Sequence, residues 1–334
     1  MSSAAGAAMR WILPVLTVAV VACAGLFGPR AVGPVTLLSD DGNPLAGHGF
    51  YVDPASKAMN AAHNANPPSA ELTAVANTPQ AYWLDQAFPA GTVAGTVSRI
   101  AGAAQATGAM PVLALYAIPH RDCGSYAAGG FATAAGYREW IDSIASGLGA
   151  SPAAIILEPD ALAMADCLSG DQRQERFDLI SYAVGALTRD PAAAVYVDAG
   201  HSRWASADTM AARLNQVGVQ RARGFSLNTT NYYSTEEEIG YGEAISGLTN
   251  GAHYVIDTSR NGAGPAPEHP LSWCNPAGRA LGTPPTTDTA GAHADAYLWV
   301  KRVGESDGSC DHGDPAAGTF VSQFVIDLAR NSGR

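Results

Sequence analysis

The chain reads as an α/β protein, a parallel, TIM-like barrel of seven or eight strands forming one domain. Three observations predict this. Eight short apolar runs recur between residues 48 and 301, and Ala-rich stretches with helical spacing lie between them. No G-x-G-x-x-G and no P-loop follows any run. Strands alternating with helices make parallel βα units, and so many units without a nucleotide fingerprint favour a barrel over a doubly wound sheet. With 334 residues and 47% hydrophobic composition the chain can bury a core of that size.

Taken in order, residues 1–30 come first, with Arg10 ahead of the apolar "WILPVLTVAVVACAGLFG" (11–28). A basic residue before such a run predicts an export signal or, if retained, a membrane anchor. Ala22-Cys23-Ala24 resembles a small-residue cleavage site, and Cys23 also allows lipidation. Residues 31–44 are rich in Pro, Gly and Asp and are read as a tether. Residues 45–332 are then expected to form the single folded domain. Its strands are expected at "HGFYV" (48–52), "AYWLD" (81–85), "MPVLALY" (110–116), "AIILE" (154–158), "AVYVD" (194–198), "GFSLN" (224–228), "HYVID" (253–257) and "AYLWVK" (296–301). "YREWIDSIASGL" and "RQERFDLISYAVGAL" show the spacing of the covering helices.

Composition excludes several functions. A net charge of −11 with 19 basic residues argues against nucleic acid. The scattered histidines predict no metal, and no cofactor motif is present. Export makes the cysteines outside the signal, Cys123, Cys167, Cys274 and Cys310, candidates for two disulfides. Three pairings are possible. The sequential one closes the shortest loops.

"AIILEPDALAM" (154–164) poses the chemical question, because a buried strand runs into two acids around Pro159. Pro159 must end the ladder, and Asp160 could merely cap a following helix. Strand ends elsewhere are polar too: Tyr116 with Asp122 beyond it, Asp198, Asn228, Asp257 and Lys301. In a barrel these ends share one face, where carboxylates crowded together serve acid/base chemistry. Trp83, Trp204 and Trp273 fall near the same ends and suit stacking on sugar rings, whereas Trp299, inside a strand, reads as core.

"YAIPHRDCGSYAAGG" (116–130) and "IILEPDALA" (155–163) resemble the signatures of glycoside hydrolase family 6, which holds endo-β-1,4-glucanases and cellobiohydrolases. "WLD" (83–85), "VYVDAGHSRW" (195–204), "SLNTTNY" (226–232), "SWCNPAGRALG" (272–282) and "WVKRVGESDG" (299–308) extend the resemblance across roughly 45–330. It implies a distorted barrel, often of seven strands, and supports the sequential disulfides. It also implies Asp160 as general acid, Asp122 as the aspartate that raises the acid's pKa, and Tyr116 beneath the distorted sugar. Asp307 matches the residue most often proposed as base, and Asp198 is a further catalytic candidate. Trp83, Ser125, His201, Trp204, Asn228, Trp273, Lys301 and Glu305 match sugar-binding positions, and Glu158 is read as support for the turn. Inversion with an acid and a water-activating base is the implied reaction.

The expected partner is therefore a β-1,4-glucan, acted on by an exported monomer that touches a membrane only through an uncleaved or lipidated N-terminal segment. Short stretches after Asn261 and Asp307 predict an open cleft and internal cutting. The rival readings are a chain-end cellobiohydrolase, a retaining or metal-dependent barrel hydrolase using Asp198 and His201, and a non-catalytic glucan-binding surface protein.

Overall fold

The computed structural model describes residues 42–333; the expected signal or anchor and most of the tether lie outside the described residues. The described residues form nine strands, most of them separated by helices. The strands are β1 (Gly49–Phe50), β2 (Tyr82–Leu84), β3 (Ala109–Met110), β4 (Val112–Leu115), β5 (Ala153–Leu157), β6 (Ala193–Asp198), β7 (Gly224–Leu227), β8 (His253–Asp257) and β9 (Ala294–Leu298). The helices are α1 (Lys57–Asn64), α2 (Ala70–Ala76), α3 (Ala90–Ala106), α4 (Ala134–Leu148), α5 (Gly170–Leu187), α6 (Ala207–Val217), α7 (Thr235–Leu248) and α8 (Ser322–Asn331). Ser56, Ser69, Thr133, Ser169, Ser206 and Ser234 each accept a backbone N–H in the first turn of the helix they precede, which satisfies a donor the helix cannot.

Seven strands, in the order β2-β4-β5-β6-β7-β8-β9, form one all-parallel sheet. Both faces are buried, so these strands are continuous apolar runs and do not alternate with polar residues. Leu113, Leu115, Ile155, Leu157, Val195 and Val197 face the helices, while Val112, Ala114, Ala154, Ile156, Ala194 and Tyr196 fill the interior. The first expected strand does not join this sheet. Gly49–Phe50 pairs only with Ala109–Met110, because Pro111 divides the "MPVLALY" run and offers its carbonyl, but no N–H, to Ala154.

Among the described residues, β2 has a ladder with β4 alone and β9 with β8 alone, so the barrel is incomplete. Single bonds cross the gap: Ala81 N to Trp299 O at 2.9 Å and Trp83 Nε1 to Val300 O at 2.8 Å. Trp299 is core, as expected. Between β8 and β9 the chain makes no helix, and residues 258–293 wind as a long irregular connection. Two disulfides brace the rim at the strands' C-terminal ends. Cys123–Cys167 ties the loops after β4 and β5, and Cys274–Cys310 ties those after β8 and β9.

Candidate active site

The two acids after β5 have separate jobs. Glu158 and Asp160 both sit at positive φ, 53° and 67°, which breaks the strand's alternation and turns their side chains apart. Glu158 is buried beneath the rim, where its carboxylate accepts the N–H groups of Ala117 (3.1 Å) and Ile118 (3.1 Å). It thereby anchors the segment that carries Tyr116. Asp160 caps nothing, because the short 3₁₀ turn that follows spans Ala163–Cys167 and has no side-chain cap. Among the described residues neither of its carboxyl oxygens has a hydrogen-bond partner, Oδ1 being buried, while its backbone N–H donates to Asp198 Oδ1 at 2.9 Å. Burial pushes the Asp160 carboxyl well above the usual range, and Asp198 and Asp122 add to the effect against Lys301. A carboxyl that keeps its proton and leaves its oxygens unengaged is suited to donate that proton.

Asp198 is fully buried and does not reach the cleft. Besides Asp160 N, it accepts Gly200 N at 3.0 Å and the Ser226 hydroxyl at 2.9 Å. Asn228 is likewise withdrawn: its amide is spent on Tyr233 O, Tyr233 N and Asp257 O. Asp257 accepts the N–H groups of Thr230, Ser259 and Lys301. The crowd of polar strand ends therefore divides. Glu158, Asp198, Asn228 and Asp257 hold loops by their backbone amides, and Tyr116, Asp122, Asp160 and Lys301 face the cleft.

Asp122 (φ 57°) accepts Ala127 N at 2.6 Å through Oδ2, and its Oδ1 has no partner among the described residues. Burial raises its pKa, with Ala127 and Arg121 opposing. Tyr116 meets Trp83 edge-on at 5.4 Å and lies beneath the Arg121 guanidinium at 4.4 Å. Burial, then the charges of Asp160 and Asp122, keep its phenol protonated.

Asp307 is in a different state. Lys301 Nζ donates to its Oδ1 at 2.6 Å and Arg260 to its Oδ2 at 2.9 Å, while the Tyr232 hydroxyl (3.2 Å) and Asn275 N (3.1 Å) also donate to Oδ2. Burial pushes this carboxyl up, but Arg260 and Lys301 outweigh it and hold the group far below the usual range. Asp307 is thus a fixed anion with its lone pairs engaged, which makes it a poor proton acceptor.

These groups line a cleft of about 800 Å³, within the range of ligand sites. Trp204 and Trp273 present their indoles at its edge, 38% and 39% exposed, in a chain with few exposed large apolar side chains. His201 stacks on Tyr233 at 4.2 Å and lies 5.1 Å from Trp204. Burial lowers its pKa to about 4, so it is neutral over most of the pH range. Trp83, Ser125 and Glu305 also line the cleft. Glu305 is held by Lys57 at 2.8 Å and Arg302 at 2.7 Å.

One contact departs from a fully open groove. Tyr126, from the loop after β4, donates to Asp311 at 2.8 Å and packs 5.9 Å from Trp273. Gly308 makes room for it, because a Cβ there would lie 2.6 Å from the Tyr126 ring. Tyr126 thereby brings the loop after β4 against the loops after β8 and β9.

Arg260, Tyr232, Arg121 and Tyr126 belong to this site and carried no signal of their own in the sequence. Three of them sit inside quoted motifs, but an arginine or tyrosine on a loop reads the same whether it pairs with an aspartate or with water. Among the described residues, one group of metal-binding residue types converges, Cys310, His312 and Asp314, and Cys310 is committed to a disulfide.

The family model "Glycosyl hydrolases family 6" matches residues 45–332. Endoglucanase A of Cellulomonas fimi is 45% identical over 290 residues, covering 86% of this chain and 62% of that protein, so the chain spans less than two thirds of that relative. Endoglucanase 1 of Streptomyces halstedii is 42% identical, covering 84% of this chain and 87% of that one. The structure of the endoglucanase Cel6 from Mycobacterium tuberculosis, in complex with methyl-cellobiosyl-4-deoxy-4-thio-β-D-cellobioside, superposes with a TM-score of 0.87 at 78% identity, covering 88% of this chain and all of that one. The chain belongs to glycosyl hydrolase family 6.

Proposed function

We propose that the protein is an exported endo-β-1,4-glucanase that hydrolyses its polymer with inversion, using Asp160 as the general acid. The observation that carries this reading is the Asp160 carboxyl, kept protonated by burial and two aspartates and left with an unengaged oxygen. A glucan chain crosses the cleft with its apolar C–H faces on Trp204 and Trp273. Asp160 gives its proton to the glycosidic oxygen as the C1–O bond breaks. Water attacks C1 from the opposite face and loses a proton, and the product anomer is inverted.

Asp122 is better suited than Asp307 to receive that proton, directly or through a second water. Its pKa is raised and its Oδ1 is free, whereas Asp307 is neutralised by two cations. Asp307 then holds Lys301, which lines the cleft, and pairs with the buried Arg260. The short stretch after Asp307 supports internal cutting, while the long connection after β8 and the Tyr126–Asp311 bond favour chain-end attack as the second reading. The signal-like N-terminus and the paired cysteines support export.

Asp160→Ala should lose about 10²–10⁴-fold in turnover while folding normally and still binding oligosaccharide. With wild-type enzyme, the viscosity of carboxymethyl cellulose should fall steeply before many reducing ends appear. Steady cellobiose release at constant viscosity would show chain-end action instead.

A further inference from the structure

Arg176, on α5, is buried outside the cleft and touches neither Asp122 nor Asp160, yet it grips the backbone beside both. One terminal nitrogen donates to Ala161 O at 3.1 Å, on the residue after Asp160. The other donates to Pro119 O at 3.3 Å and His120 O at 2.6 Å, just ahead of Asp122. A buried charge is costly, and this one is spent on three carbonyls. A guanidinium fork can hold two separate segments at a fixed distance, which a single ammonium cannot.

Both segments need holding. His120, Asp122 and Cys123 sit at positive φ (57°, 57° and 47°), as do Glu158 and Asp160, and such backbone persists only where its surroundings fix it. Glu158 holds the first segment by the N–H groups of Ala117 and Ile118, so Arg176 takes the carbonyls that the same segment leaves over. Arg213, on α6, donates to Leu162 O at 2.7 Å and Ala163 O at 3.3 Å, and so holds the Asp160 turn alone. Cys123–Cys167 ties the same two loops farther along the chain. Asp160 feels Asp122 from the loop after β4, Asp198 from β6, and Lys301 and Asp307 from beyond β9, with the Tyr116 phenol beside it. Of these, Asp122 is the one whose spacing from Asp160 Arg176 can set.

We propose that Arg176 is a positioning residue, whose guanidinium clamps the segment before Asp122 to the turn after Asp160 and so fixes the spacing of the two aspartates. This rests on the reading of Asp160 as the acid and Asp122 as its charged neighbour.

The test measures kcat and KM against pH on a soluble β-glucan for wild type, Arg176→Lys, Arg176→Gln, Arg213→Lys and Asp122→Asn, with thermal melting as the control for folding. Arg176→Lys keeps the charge and loses the fork. Its kcat should fall by up to about 10²-fold, the cost of a small misplacement, while KM stays near wild type because Trp204 and Trp273 lie on other loops. Its alkaline limb should move toward acid, because Asp160 loses part of the repulsion from Asp122. Arg176→Gln should move the limb the same way, and Arg213→Lys should move it less. A limb that stays in place in the folded Arg176 variants, or moves equally in Arg213→Lys, would overturn the proposal alone. Failure of both Arg176 variants to fold would also overturn it, by reducing Arg176 to a part of the scaffold. An unmoved limb in Asp122→Asn would overturn the underlying reading of the two aspartates instead.

Discussion

Asp198→Asn isolates the electrostatic part of the acid's environment from its geometry. The Asp198 carboxylate is buried, and its own pKa is pushed up to about 6 by desolvation against several hydrogen bonds. Its Oδ1 accepts Asp160 N and Gly200 N, a task an asparagine oxygen can keep. The new NH₂ would then face Ser226 Oγ, which can rotate to accept. The charge is the main thing lost. A neighbouring like charge raises a carboxyl, so removing the Asp198 charge should lower the pKa of Asp160. Asp160 must be protonated to act, so the rate declines above its pKa, and a lower pKa moves the alkaline limb of the kcat profile toward acid. The measurement is kcat against pH on a soluble β-glucan, with thermal melting as the control for folding. An alkaline limb that stays in place while kcat falls would refute the reasoning and leave Asp198 a purely structural residue.

Asp122→Ala should be severely impaired, because it removes both a charge that raises Asp160 and the proposed proton acceptor. Azide should restore turnover with an α-glycosyl azide as product, whereas Asp307→Ala should not respond; the reverse pattern would return the base role to Asp307. Glu158 and Glu238 are both raised to about 7, chiefly by burial. Raised carboxyls stabilise the fold fully below their unfolded pKa and lose that contribution as pH rises toward the folded value. The free energy of unfolding should therefore drop between about pH 4.5 and 7, by on the order of 3 kcal/mol for each glutamate, and the melting temperature with it. Asp307 and Asp295, held low, act oppositely and cost stability as the medium becomes more acid than their unfolded range. Differential scanning calorimetry across pH 3–8 would sink this if stability rose from pH 5 to 8.

The strands were legible because a parallel sheet buried on both faces must be written as unbroken apolar runs, and seven of the eight runs enter the barrel. The eighth, at 48–52, has the same composition, but its two-residue strand is half-exposed and pairs outside the sheet. Apolar content does not say which neighbour a strand will find. The site was legible as a place and less so as a division of labour. Glu158 and Asp160 are two residues apart, a spacing that in a regular strand would aim them the same way. Two left-handed residues in the turn send one under the rim and the other into the cleft. Asp198 and Asn228 go the first way, and Asp122, beside another left-handed residue, goes the second. Residue type alone cannot separate these outcomes, since a carboxylate is equally good at accepting backbone amides and at moving protons. What separates them is the lone-pair count. Asp198 spends its oxygens on N–H and O–H donors, Asp307 on two cations, and Asp160 keeps one buried oxygen with no partner, which is why the proton transfer is assigned there.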